Sequence, residues 1–422
     1  MVTRRQFGLA LGSASLTAPA WAQFRVEISG VGATLTPVAI APFKGEGSGN
    51  TQVAAIVKAD LERSGLFRVL QPNGALDERS PLPQAELRAA GADALLAGSI
   101  QRLADGSYDI RYRYWDVVRG SEQLARSVVA PVDDLRLAAH RIADEIYEKT
   151  PGDKGVFATR IAYVTKGARS FVLHVADADG EGGRVALTSS EPIISPAWAP
   201  NGRELAYVSF ESQKAVVWVQ DLQSGRRSML ANFPGSNSAP AWAPNGSQLA
   251  VTLSRAGPAQ RYLIGRDGGT PRRLTASQAI DTEPVFTSDG RTVYFVSDRG
   301  GGPQIYKVGL DGGAPERVTF QGNYNISPTI SPDGKTLAYI TRQGGAFRVT
   351  VQDLVNGTVR TLSDTQHDES PSFSPNGRLL VYASRDQGRD VLMTTTLDGR
   401  LRTRLLSSGQ DMREPAWGPF GR

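Results

Sequence analysis

The chain repeats itself, and the repeat limits what it can fold into. ISPAWAPNGRELAYVS at 194–209 returns as SAPAWAPNGSQLAVTL from Ser238, TEPVFTSDGRTVYFVS from Thr282, ISPTISPDGKTLAYIT from Ile326 and ESPSFSPNGRLLVYAS from Glu369. It then breaks off as REPAWGPFGR from Arg413. The prolines Pro196, Pro240, Pro284, Pro328, Pro371 and Pro415 are spaced by 44, 44, 44, 43 and 44 residues. A period in the forties, built from short alternating strands and Gly turns, is that of propeller blades rather than of helical repeats.

One unit contains the elements of one blade. An apolar or aromatic side chain stands two residues after each proline (Trp198, Trp242, Phe286, Ile330, Phe373, Trp417), as a short inner strand requires. Asn-Gly or Asp-Gly follows at 201–202, 245–246, 289–290, 333–334 and 376–377, supplying the positive φ of a tight reversal. Two further runs complete the cycle, the last expected at 272–275 and 316–319 in the units that start at Ser238 and Thr282. The ends of the region are complementary. IAYV at 161–164 matches the second strand of a unit but has no Pro-x-Trp strand before it, whereas Pro415 to Trp417 has no partner after it. The fragments predict a six-bladed β-propeller over 160–422, closed when the C-terminal strand joins three strands from about 160–188. An open β-array is the alternative.

The residues ahead of the repeats follow a different pattern. Arg4 and Arg5, a weakly apolar stretch from Phe7 and the small-x-small site Ala20-Trp21-Ala22 read as a signal peptide over 1–22, with Gln23 as the first mature residue. Thr3 to Phe7 (TRRQF) resembles a twin-arginine signal, and a Sec signal with two chance arginines is the alternative. Residues 23–150 alternate strand and helix patterns and predict a small N-terminal α/β domain, ending in an amphipathic helix that starts at Asp133 and Asp134. A breaker-rich linker over 151–159 joins it to the propeller.

Several function classes drop out at this point. The absence of cysteine removes disulfides, thiol nucleophiles and Cys-based metal sites. A net charge of +5 over 422 residues, without a basic block, argues against nucleic acid. Beyond the leader no stretch approaches the roughly 20 apolar residues that insert in a membrane. The three histidines, His140, His174 and His367, lack metal-ligand spacing, so no metal or other cofactor is expected. Gly45-Glu46-Gly47-Ser48-Gly49 lacks the Lys-Ser/Thr of a phosphate loop, and no Gly-x-Ser-x-Gly nucleophile elbow is present.

A signal peptide, a small α/β domain starting with PVAIAPF (37–43) and six Pro-x-Trp-type repeats together resemble the TolB family of the Tol-Pal cell-envelope system. The resemblance implies a periplasmic, monomeric, non-enzymatic adaptor that binds the lipoprotein Pal through the propeller and TolA through the mature N-terminus, serving outer-membrane integrity and division. It places Pal binding on the connections that enter the inner strands: Ser236, Asn237, Ala239, Thr282, Glu283, Asn325 and Glu369. Of these, Glu283 and Glu369 are read as exposed loop acids. TolA binding falls on the alternating segment Phe24, Arg25, Val26, Glu27 and Ile28, which can add to a sheet edge as a strand. The family often carries His before the Asn of the second connection, whereas here Ser236 precedes Asn237. Two other readings remain: a secreted hydrolase or lyase using Asp281, Glu283, Asp368 and Glu369, and a ligand-sensing propeller.

Overall fold

The computed structural model describes residues 35–47, 52–150, 152–405 and 410–421. The leader and residues 24–28 lie outside them. The N-terminal domain runs β1 (Thr36–Ile40), α1 (Val53–Arg63), β2 (Phe67–Leu70), α2 (Gln84–Ala89), β3 (Ala94–Arg102), β4 (Tyr108–Asp116), β5 (Ser121–Ala130) and α3 (Leu135–Lys149). Its sheet has the order β2-β1-β3-β4-β5, with β1 parallel to β2 and β3 and the rest antiparallel. Val57 and Leu61 of α1 share one core with Ala139, Ile142 and Ile146 of α3 and with Val38 and Leu96 of the sheet. Fully burying each larger side chain contributes about 1.5–3 kcal/mol. Gly65, at φ +73, ends α1 where a side chain would be strained. Asp134 is the N-cap residue of α3, as the sequence predicts for this pair, but its side chain makes no cap hydrogen bond. Asp133 and Asp134 lie in a 3-10 turn (Val132–Asp134) after Pro131, from which their charge still favours the helix N-terminus.

Six four-stranded antiparallel sheets follow. Blade 1 joins the C-terminal inner strand Asp411–Trp417 to Arg160–Lys166, Phe171–Asp177 and Arg184–Ser189, so the last strand closes the ring. The inner strands of blades 2 to 6 are Ile193–Trp198, Asn237–Trp242, Asp281–Phe286, Asn325–Ile330 and Glu369–Phe373. The aromatic positions of the repeat also lock neighbouring blades. Trp198 Nε1 donates to Ala416 O at 3.0 Å, Trp242 Nε1 to Ala197 O at 3.2 Å, and Trp417 N–H to Ser372 Oγ of blade 6 at 2.9 Å, while Trp417 Nε1 stays with its own blade at Thr159 Oγ1, 2.8 Å away.

Each inner strand slips register beside its proline. Proline cannot donate to the ladder, and a bulge accommodates the missing bond. The residue before each proline takes up the slack at positive φ: Ser195 (+53), Ala239 (+46), Glu283 (+50), Ser327 (+52), Ser370 (+52) and Glu414 (+53). The fourth strands of blades 3 and 4 begin earlier than the sequence suggests, at Gly268–Arg273 and Gly312–Arg317. Their paired glycines belong to the strand itself, with Gly268 opposite Gly265 and Gly312 opposite Gly309.

Antiparallel order determines which turns share a face. The hairpins between second and third strands and the connections between blades lie on one face, around the channel mouth; the other turns lie on the opposite face. The small domain docks on that opposite face. Asn376 Nδ2 of blade 6 donates to Lys154 O at 2.9 Å, and Arg378 Nε to Asp153 Oδ2 at 2.7 Å. Arg136 of α3 reaches the turn after Asp177 of blade 1.

Candidate partner-binding face

The connections that enter the inner strands are built around one buried position, three residues before each proline. Its occupants are Ile193, Asn237, Asp281, Asn325, Asp368 and Met412, all buried. The four polar ones staple their own connection. Asn237 Nδ2 donates to Ala215 O (3.1 Å), Phe233 O (3.0 Å) and Gly235 O (3.1 Å), while its Oδ1 accepts Phe233 N–H at 2.8 Å. Asn325 Nδ2 donates to Gln304 Oε1 at 2.8 Å and Gln321 O at 2.9 Å. Asp281 takes Arg299 on both oxygens at 2.9 Å and Thr275 Oγ1 at 2.9 Å. Asp368 accepts from Ser363, from Thr365 at 2.6 Å and from Ser384 at 2.7 Å. An Asn side chain here replaces backbone partners that a short loop cannot supply.

This geometry sorts the residues chosen from sequence. Asn237 and Asn325 are fully buried and hold loops in place, so neither is exposed for contact. Ser236 is exposed beside Asn237; Ala239 and Thr282 are half-buried on inner strands. Glu283 and Glu369 also lie half-buried on inner strands, not in exposed loops. The bulges turn the residue before each proline away from its ladder, and two acids at that position bond across blades. Glu283 Oε2 of blade 4 accepts Ser327 N–H of blade 5 at 2.5 Å, and Glu414 Oε2 of blade 1 accepts Ser195 N–H of blade 2 at 3.2 Å. Burial raises the pKa of Glu283 and of Glu369. Burial first, then the charge of Glu369, pushes Glu414 up to about 7.

Apolar surface at the mouth was only partly anticipated by sequence. Ile280, next to buried Asp281, is 52% exposed, and Phe320, just past the fourth strand of blade 4, is 73% exposed. Arg317 lies over the Phe320 ring at 5.3 Å. Ile280 lies two residues before Thr282, one of the residues chosen from sequence, whereas Phe320 lies five residues before Asn325.

The opposite face has a polar centre of another kind. Arg136, His140, Asp144 and Glu148 recur every fourth residue of α3 and form one stripe facing the propeller and linker. Arg136 pairs with Asp177 (3.3 Å) and Asp179 (2.5 Å). His140 Nδ1 lies 2.6 Å from Asp60 Oδ2, and Arg63 holds the other Asp60 oxygen at 2.7 Å. Asp144 accepts Phe157 and Ala158 N–H at 2.7 and 3.0 Å, and burial raises its pKa to about 6. Gly155 is needed where the linker passes, since a Cβ there would come 2.3 Å from Asp144 Oδ1. Burial opposes the charge on His140, but Asp60, with Asp177 and Asp179, outweighs it and raises its pKa to about 10. Three carboxylates thus face two guanidiniums and an imidazolium. Asp60, His140 and Asp179 lie close enough to share a metal ion. An ion would displace arginines already bonded to those oxygens, and the balanced charge favours the proton.

Fold and rim together define a class: a two-domain protein with a closed six-bladed propeller whose mouth presents stapled connections. The profile of the TolB amino-terminal domain matches residues 24–123, and that of the TolB beta propeller domain matches 147–421. Curated relatives agree along the chain. The "Tol-Pal system protein TolB" of a Polaromonas species is 64% identical over 405 residues, covering 96% of this chain and 95% of that one. Its counterpart in Dechloromonas aromatica is 60% identical over 422 residues, covering 99% and 98%. The crystal structure of TolB from Acinetobacter baumannii superposes with a TM-score of 0.85 at 36% identity, over 92% of this chain and 97% of that one. The chain belongs to the TolB family of Tol-Pal system proteins.

Proposed function

We propose that this protein is a monomeric, non-enzymatic periplasmic adaptor of the Tol-Pal system. Its propeller mouth binds the lipoprotein Pal, its mature N-terminal segment at 24–28 binds TolA, and the two contacts serve outer-membrane integrity and invagination at division. The corresponding organisation is a signal peptide over 1–22, an N-terminal α/β domain over 23–150, a linker over 151–159 and a six-bladed propeller over 160–422. Among the described residues no helix is long and apolar enough to cross a membrane.

The observation that carries the reading is the stapled rim. Buried side chains hold each connection, so Ser236, Ile280 and their neighbours are presented on a pre-organised surface, which lowers the entropy lost on docking. Three of the four carboxylates that a hydrolase would need are engaged elsewhere. Asp281 and Asp368 are saturated by staples in blades 4 and 6, and Glu283 caps a neighbouring strand. Calorimetric titration of the mature protein with the soluble domain of Pal and with TolA tests the reading. Deleting residues 23–32 should abolish TolA binding and leave Pal binding; retained TolA binding rejects the N-terminal site.

A further inference from the structure

Blades 5 and 6 differ from blades 2 to 4 at the mouth. In blades 2 to 4 the ladder between second and third strands stops short and opens into a loop, as between Ser209 and Val216. In blades 5 and 6 it runs to a two-residue turn. Gly344 (φ +57) with Gly345 (+89), and Gln387 (+48) with Gly388 (+80), make the type I′ geometry that suits strand twist. The blade 5 hairpin is also fastened to the connection leading to blade 6. Phe347 N–H donates to Gln366 O at 2.9 Å, and Asp368 N–H to Phe347 O at 3.1 Å, making a parallel bridge between Phe347 and His367. This unit is the one with the 43-residue step.

A pocket of about 590 Å³ lies between the two, lined by Gln343, Gly344, Gly345, Arg348, Gln366 and His367 among others. Its chemistry is rich in donors. Arg348 Nε is buried and makes no hydrogen bond. Asp364, which feels the Arg348 charge, has both oxygens on Arg402. Asp368 behind the pocket is saturated by three hydroxyls. No carboxylate lines the pocket. A guanidinium with an idle donor fits a planar carboxylate best, because its fork matches two oxygens.

We propose that this pocket receives an acidic side chain, Asp or Glu, of the protein docked on the mouth, with Arg348 as its anchor and His367 and the two glutamine amides as its flanks. The proposal rests on the reading of the mouth as the Pal-binding face. It makes recognition lopsided, with an apolar contact at Ile280 and Phe320 and an anionic one at blade 5.

Two measurements test the pocket and the partner separately. N-acetylglutamate is titrated into the full-length mature protein while the His367 imidazole resonances are followed by NMR. A saturable shift that Arg348→Gln abolishes is expected. No shift, or an equal one in Arg348→Gln, overturns the pocket. Calorimetry with the soluble domain of Pal then compares wild type, Arg348→Gln and His367→Ala, the last replacing an exposed side chain. A loss of about tenfold or more in Arg348→Gln, with a smaller loss in His367→Ala, is expected. Unchanged affinity in both overturns the assignment of the acid to Pal. Absence of Pal binding by wild type overturns the reading of the face, and the N-acetylglutamate titration still decides the pocket.

Discussion

Both faces of the propeller are held by buried polar groups, but by groups of different kinds. At the mouth, Asn237 and Asn325 form neutral staples that tie their own connections to Ala215 O and Gln304 Oε1 of the preceding blade, with Asn325 Oδ1 left without a partner. At the seam with the small domain, Asp60, Arg63, Arg136, His140, Asp177 and Asp179 form one charged cluster drawn from both domains. A neutral staple keeps its bonds at any ordinary pH and salt. A charge cluster keeps its energy only while its charges stay matched, and His140 Nε2 lacks a close partner, lying 3.7 Å from both Asp177 and Asp179. The two Asn staples therefore keep their shape under ordinary conditions, whereas the seam, like the Asp281–Arg299 pair at the mouth, depends on matched charge.

The largest effect should come from breaking the seam. His140→Ala leaves three carboxylates with two guanidiniums and opens a cavity, and should cost about 3–5 kcal/mol in urea unfolding. The folded pKa of about 10 lies above the ordinary 6.5, so the stabilisation is complete below that value and is lost as pH rises through 10. Wild type should lose its advantage over His140→Ala across that window. A cost below about 1 kcal/mol would place the seam among ordinary surface ion pairs.

Asn237→Ala should cost less, about 1–3 kcal/mol, by stranding Phe233 N–H and the carbonyls that its amide serves. Ser236→Ala next to it should stay within about 0.5 kcal/mol. Thermal melting of the pair checks whether the staple and the presented residue are separate. Equal effects would erase the distinction between them.

These two centres also show what a sequence conceals. Blade number and closure could be read because Pro-x-Trp and Asn-Gly are local signals, and the unmatched IAYV and Pro-x-Trp ends could find only one another. Asn237 and Asn325 were read as contact residues because the resemblance places Pal binding on these connections, and nothing local shows that their side chains turn inward. Their partners are backbone atoms whose positions only the folded ring sets. The seam was hidden by distance along the chain: Asp60 and His140 are 80 residues apart, and Arg136 and Asp179 are 43 apart. The every-fourth-residue stripe on α3 was visible in outline, but nothing local said which domain it faced. Residues 24–28 lie outside the described structure, so their role rests on the proposal alone.

A smaller effect separates the inner-strand acids from the staples. Glu414 rises from its ordinary 4.5 to about 7 through burial and the charge of Glu369, so its contribution is present below 4.5 and lost as pH climbs through 7. Stability of wild type should decline across that window relative to Glu414→Gln, whose amide oxygen can still accept Ser195 N–H. Parallel pH profiles for the two proteins would show that the acid is solvated rather than confined.

The most direct test of the account is a double substitution that changes the presented residues and spares the staples. Ser236→Arg with Ile280→Arg alters two exposed positions on adjacent connections and leaves Asn237 and Asp281 intact. Calorimetric titration with the soluble domain of Pal should show affinity falling by about tenfold or more, with the melting temperature and TolA binding unchanged. Wild-type affinity for Pal in a folded double variant would contradict the claim that the channel mouth is the partner-binding face.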